Sequence, residues 1–165
     1  GKSPEVAYRA FRRIRDQIPQ ELVLLGNGIR KYLERTESPR ADFDKVRFLE
    51  FVPYEQLHLM YNLADVVVNP CVYEGCPNTV LQAMACGRPT IVAASGGSAD
   101  VAEGAALMAA PMDDADLAQK LLAAASDETL RRDMSARSLA RSQFFSWDKS
   151  ARLTLDALRR VVAGA

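Results

Sequence analysis

The sequence predicts an α/β fold: a doubly wound parallel sheet followed by a helical carboxy-terminal tail. Three observations carry this. Short apolar runs alternate with helix-period segments from residue 21 to residue 109. Asp65-Val66-Val67-Val68-Asn69-Pro70 sets three β-branched residues in a row, which suits a strand covered on both faces. From Asp114 onward every segment reads as helix. Strands that alternate with helices imply parallel pairing, helices on both faces and right-handed crossovers.

Each element has its local reason. Ser3-Pro4-Glu5 reads as a helix start, with Ser3 as cap, proline in the first turn and an acid beside it. Ala7, Ala10, Phe11, Ile14 and Ile18 follow at helical spacing, and Pro19 ends the segment. Glu21 to Leu25 reads as a strand closed by Gly26-Asn27-Gly28. Residues 29 to 45 are polar and predict a short helix and a loop. Val46 to Phe51 is a second strand, and Tyr54 to Leu63 a helix with Leu57, Met60, Tyr61 and Ala64 on one face. After the valine strand a loop leads into a helix from Pro77 to Cys86, stopped by Gly87. Thr90 to Ala93 is a fourth strand. A turn at Ser95-Gly96-Gly97 opens a short helix near Ser98, and Ala106 to Ala109 is the weakest strand. Residues 114–125, 127–143 and 148–163 are the closing helices. Leu155, Leu158 and Val162 give the last one an apolar stripe, expected to be a sticky surface.

The 165 residues suit one domain. Lys+Arg and Asp+Glu are both 21, so no net field draws in nucleic acid, and anion binding needs a local site. No apolar run approaches the ~18 residues of a membrane span. Cys71, Cys76 and Cys86 fit neither a zinc spacing nor a disulfide framework, and read as small, mostly buried thiols of a reducing, cytoplasmic compartment. The single histidine, His58, reads as a surface or boundary residue. Arg12-Arg13-Ile14-Arg15 reads as a solvated helix face, and Trp147 as a core plug.

Ligands of an open parallel sheet bind beyond the carboxyl ends of its strands. The loop from Cys71 to Asn78 is the longest there. It runs through Glu74-Gly75 into the helix begun by Pro77, whose first N–H groups and dipole make an anion seat. Gly75 lets a ligand approach the backbone, Thr79 adds a hydroxyl, and Glu74 accepts hydrogen bonds from ligand hydroxyls. Gln82 lies further along the same helix, within reach of a second hydroxyl-bearing group. An anion flanked by two polyols describes a nucleotide-diphosphate sugar.

Glu74-Gly75, then Leu81-Gln82-Ala83-Met84-Ala85-Cys86-Gly87, then Pro89, resembles the donor-site signature of the retaining GT-B glycosyltransferases, chiefly glycosyltransferase family 4. That pattern is an acid, seven residues, a second acid, then Ala-Met-Ala-x-Gly-x-Pro. Leu22 to Gly28, Leu57 to Pro70, Gly96-Gly97 and Phe145-Ser146-Trp147 are similar to further family segments, so the resemblance spans nearly the whole chain. It implies the Rossmann-like carboxy-terminal, donor-binding half of a two-domain enzyme. That half would use no metal or other cofactor, and its partners would be a nucleotide sugar, an acceptor (a sugar, lipid-linked sugar or small molecule) and an amino-terminal domain. By position, Glu74 would orient the sugar and Lys2 would meet the diphosphate. Gly75, Cys76, Pro77, Asn78 and Thr79 would offer backbone amides. Val52 would touch the base through its main chain.

The sequence departs from the pattern in places. Gln82 stands where the second acid usually holds the ribose, and Asp100 where a longer acid is usual. The family's arginine, with the strand that carries it, is expected before Gly1. The last helix, 148–163, is the segment that in GT-B proteins crosses to the other domain; membrane-peripheral placement is expected only of a full-length protein. Two other classes share this build. An epimerase half would need more acids and histidines. A non-catalytic or flavodoxin-like module of the receiver type would need clustered aspartates at the ends of early strands.

Overall fold

A computed structural model describes residues 2–164. Its elements are α1 (Pro4–Ile14), β1 (Leu22–Leu25), α2 (Ile29–Thr36), β2 (Val46–Leu49), a 3-10 turn at Tyr54–Gln56, α3 (Leu57–Leu63), β3 (Val67–Asn69), α4 (Asn78–Ala85), β4 (Thr90–Ala93), α5 (Gly96–Val101), β5 (Leu107–Ala109), α6 (Asp114–Ser126), α7 (Glu128–Ser142) and α8 (Trp147–Val162). All strand pairing is parallel, as the alternation predicts.

The strands form two sheets rather than one. β1 pairs with β2, Leu22 opposite Val46, and the other sheet runs β3-β4-β5. Among the described residues no strand joins β1 to β3. The physical sign of this is at the strands themselves: Val23 and Leu25 of β1 are 45% and 40% exposed. The valines of β3 are half-buried, not covered on both faces as their β-branched run predicts.

β4 is the hub of the larger sheet, and all four of its residues are buried. Its side chains alternate between two cores, as a strand's period of two requires. Ile91 packs with Val6, Ala10, Phe11 and Ile14 of α1 and Leu117 and Ala118 of α6. Val92 packs with Val80 and Met84 of α4 and with Val101, Ala102 and Ala105 around α5. Each fully buried Val, Leu, Ile, Phe or Met side chain among these stabilises the fold by about 2 kcal/mol. A third core sets Tyr8 of α1 against Leu24, Leu33, Phe43 and Phe48. Helix α1 therefore spans both sheets and holds them together.

Tyr8 is fully buried; its hydroxyl donates to the Asp42 carbonyl and accepts from the Asp42 amide, both at 2.8 Å. Tyr8→Phe leaves both Asp42 groups without that partner, so urea unfolding should show a loss of about 1–3 kcal/mol.

Several local expectations are corrected. Ser3 takes a left-handed backbone (φ 51°) and makes no side-chain cap, because an N-cap residue must be extended for its oxygen to reach forward. Its hydroxyl instead donates to Met112 Sδ at 3.7 Å. α1 ends at Ile14, before Pro19, although Ile18 remains buried. Pro77 is the N-cap of α4 rather than its first helical residue. Cys71 is buried, but Cys76 is exposed and Cys86 intermediate, since the loop and helix end that carry them face outward.

Trp147 is 87% exposed, not a core plug. It sits on α8, which carries no buried residue. The stripe of Leu155, Leu158 and Val162 is accordingly 47%, 58% and 88% exposed, as the sticky-surface expectation requires. Ser146 caps α8 by accepting from the Lys149 amide at 3.1 Å, and Phe144 and Phe145 lie against the Arg141 guanidinium. Among the described residues no helix is long and apolar enough to cross a membrane.

Candidate functional site

The parallel strands deliver their carboxyl ends to one edge. β3 ends on Asn69, a buried polar residue, and the chain turns at Pro70 into the loop that carries Glu74. Asn69 organises this loop. Its Oδ1 accepts from the Cys71 amide at 3.1 Å, and its Nδ2 donates to Glu74 Oε2 at 2.9 Å. Nδ2 also lies 3.4 Å from the Thr79 hydroxyl, so one side chain ties the strand, the acid and the first turn of α4 together.

Glycines hold the loop from the other side. Gly97, at the start of α5, donates its amide to the Glu74 carbonyl at 2.7 Å. A Cβ on Gly97 would lie 1.6 Å from the Gly75 carbonyl oxygen, so only glycine permits this approach. Gly96 has φ +56° and faces the Val72 and Glu74 carbonyls, while the Ser95 hydroxyl donates to the Val72 carbonyl at 3.1 Å. The diglycine is thus the clamp that lets two loops touch. The short helix it opens starts at Gly96, with Ser95 rather than Gly97 preceding it.

Glu74 is also paired with Lys2 across 72 positions of sequence. The Glu74 side chain is 11% exposed and that of Lys2 72%. Burial alone would raise the Glu74 pKa. The Lys2 ammonium, the Asn69 amide and the nearby buried Ser98 outweigh it, so the carboxyl titrates below its ordinary value of 4.5. The Ser98 hydroxyl makes no hydrogen bond of ordinary geometry, so its part in this is the smallest. A carboxyl lowered in the folded state contributes stability above its unfolded value and loses it as pH falls through the folded one. The acid limb of a stability profile, below about pH 4.5, should therefore be shallower for Glu74→Gln than for the parent chain.

Helix α4 starts beside this carboxylate. Its Pro77 carbonyl accepts from Val80 and Leu81, both at 3.1 Å, which leaves the amides of Asn78 and Thr79 at the open end of the helix. Asn78, Thr79, Gly75 and Cys76 are all exposed, and Pro77 is buried beneath them. Gln82 lies one turn on, and its Oε1 accepts from the Tyr61 hydroxyl of α3 at 3.1 Å.

A cavity of about 620 Å³ opens nearby, lined by residues 2–5 at the start of α1, Asn27, Gly28, Ile29 and Tyr32 after β1, Val72 and Tyr73 after β3, and Met112. Of the binding and catalytic residues expected from sequence, Lys2 alone lines it. Val52 is half-buried between β2 and the 3-10 turn.

Of the predicted residues, Glu74 and Thr79 meet at the buried Asn69 amide, and Lys2 joins them through Glu74; Gly75 to Asn78 surround the same helix start, and Gln82 follows on the same helix. Sequence reasoning missed Asn69 and Tyr61. An asparagine closing a β-branched strand before proline is the available signal for the first. No signal marks the second, because its partner lies across a helix pair. Among the described residues no group of three or more His, Cys, Asp or Glu is placed to hold a metal ion.

Comparisons with known proteins agree with this build. The chain is 32% identical over 114 residues to O-antigen chain mannosyltransferase B of Escherichia coli, covering 69% of this chain and 30% of that protein. It is 31% identical over 171 residues to D-inositol 3-phosphate glycosyltransferase of Kribbella flavida, covering 96% and 40%. Among solved structures, sucrose-phosphate synthase from Thermosynechococcus elongatus superposes with a TM-score of 0.76 at 26% identity, over 95% of this chain and 42% of that one. Anabaena Alr3699/HepE in complex with UDP superposes at 0.79 and 20% identity, over 96% and 45%, a likeness of fold. The chain thus spans well under half the length of these proteins. The resemblance to the GT-B carboxy-terminal half read from the sequence holds. The family described as "Glycosyl transferases group 1" matches residues 1–127, and the chain belongs to that family.

Proposed function

We propose that this chain is the donor-binding half of a retaining, family 4-type glycosyltransferase that moves a sugar from a nucleotide-diphosphate sugar to an acceptor. One observation carries the reading: a carboxylate fixed by Asn69 and Lys2 at the open amino end of α4. The diphosphate takes the amides of Gly75 to Thr79, where the helix dipole favours negative charge. Glu74 accepts from hydroxyls of the transferred sugar, and Lys2 leaves its ion pair to meet the phosphates. Val52 touches the base. Catalysis is positioning and stabilisation of the leaving diphosphate, with no protein nucleophile assigned. The HepE structures, one solved with UDP and one with UDP and glucose, support a nucleotide-sugar ligand for this build.

The acceptor and the rest of the chemistry belong to a second domain. The exposed stripe of α8 is the face offered to it, and the edges of β1 and β3 that no strand pairs among the described residues are the flanks of a further strand. The proposed compartment is the cytoplasm, in keeping with three free thiols.

Calorimetric titration with UDP and GDP sugars tests the reading. Millimolar or tighter binding that Glu74→Ala weakens is expected. No binding at millimolar ligand by a folded chain points instead to a non-catalytic module.

A further inference from the structure

Gln82 follows Thr79 by three positions on α4, so the two side chains share a helix face. The Gln82 carbonyl is already taken: the Tyr61 hydroxyl donates to its Oε1 at 3.1 Å. Tyr61 is half-buried, and burial, followed by the neighbouring Cys86, pushes the phenol pKa above 10.0. The phenol is protonated near neutral pH, so its hydroxyl has the proton that the bond to Gln82 Oε1 requires. A primary amide carries its carbonyl and its NH₂ on opposite edges. With the carbonyl on α3, the NH₂ edge is turned away from Tyr61, and among the described residues no acceptor takes it up.

We propose that Tyr61 is a positioning residue that locks the Gln82 amide, so that the site meets its ligand with N–H donors where a carboxylate would present acceptors only. This rests on, and deepens, the donor-site reading. A ribose hydroxyl accepts as well as it donates, so a nucleoside remains a partner for that edge, but the bond runs from protein to ligand. Without the Tyr61 hydroxyl the amide turns freely, and ordering it costs part of the gain on binding. Tyr61 does not touch the ligand in this arrangement; it acts through Gln82.

The test is a double-mutant cycle read by calorimetry, with UDP and GDP as probes and inorganic pyrophosphate as the control ligand. Tyr61→Phe keeps the ring and its packing. In the parent chain it should weaken the tighter-binding nucleotide by about fivefold, the worth of one ordinary hydrogen bond. In a Gln82→Ala background it should have no further effect, and pyrophosphate affinity should not change in either. Equal losses in both backgrounds would assign Tyr61 a general packing role and overturn the proposal, as would no loss in the parent chain. A parent chain that binds neither nucleotide removes the donor-site reading and this proposal together. A parent chain that binds, with Tyr61→Phe silent, removes only the positioning role.

Discussion

Gly97→Ala is expected to unseat the Glu74 loop and to destabilise the chain by about 2–3 kcal/mol, the range of an overpacked interior contact. The added Cβ would lie 1.6 Å from the Gly75 carbonyl oxygen and 2.4 Å from its carbon, and both are backbone. No rotamer relieves such a contact, so either α5 or the loop must move. Movement breaks the bond from the Gly97 amide to the Glu74 carbonyl, 2.7 Å long, and carries the carboxylate off Asn69. Gly75→Ala is the matched control, since a Cβ there meets nothing within 4 Å. It should fold with nearly parental stability while obstructing any ligand that approaches the exposed backbone. Urea midpoints of the two variants make the comparison. A Gly97→Ala chain as stable as Gly75→Ala would show that the two loops do not touch as described.

Asn69→Ala should have the next largest effect, a loss of about 2 kcal/mol together with a rise in the Glu74 pKa. The substitution leaves the Cys71 amide without the Asn69 carbonyl at a buried position, and it removes the donor to Glu74 Oε2. Asn69→Asp separates these two roles. The aspartate still accepts from Cys71 but sets a like charge against Glu74, so the Glu74 pKa should rise further than in Asn69→Ala. Carboxyl titration followed by NMR reads both variants. A Glu74 pKa that stays at its parental value in the two would mean that Lys2 alone holds the group.

Much of this arrangement was legible in the residues. Turn chemistry and period placed every strand and helix within a few positions, because Gly26, Gly28 and Gly87 sit at positive φ where the chain stops and turns. The acid before the helix start was legible for the same reason: strand, loop and helix must follow in that order for Glu74 to reach the carboxyl edge of the sheet. Contacts that join distant elements were not. Asn69 and Tyr61 act through pairs 5 and 21 positions apart that only packing brings together. Lys2 and Glu74 read as two ligand contacts, whereas in the chain by itself each meets the other. Trp147 misled because tryptophan is usually driven inside, and α8 offers it no neighbouring surface. The division into two sheets was hidden because each strand pairs as expected with the neighbours it has.

In the proposed function a nucleoside diphosphate seats at the open end of α4 beside Glu74. Backbone amide shifts of the ¹⁵N-labelled chain, followed during titration with UDP and with GDP, test it most directly. Saturable shifts are expected at Gly75, Cys76, Asn78 and Thr79, with Glu74 and Lys2 moving alongside and α6 and α7 still. Saturable shifts elsewhere in the chain, with residues 74–79 unmoved, would contradict it.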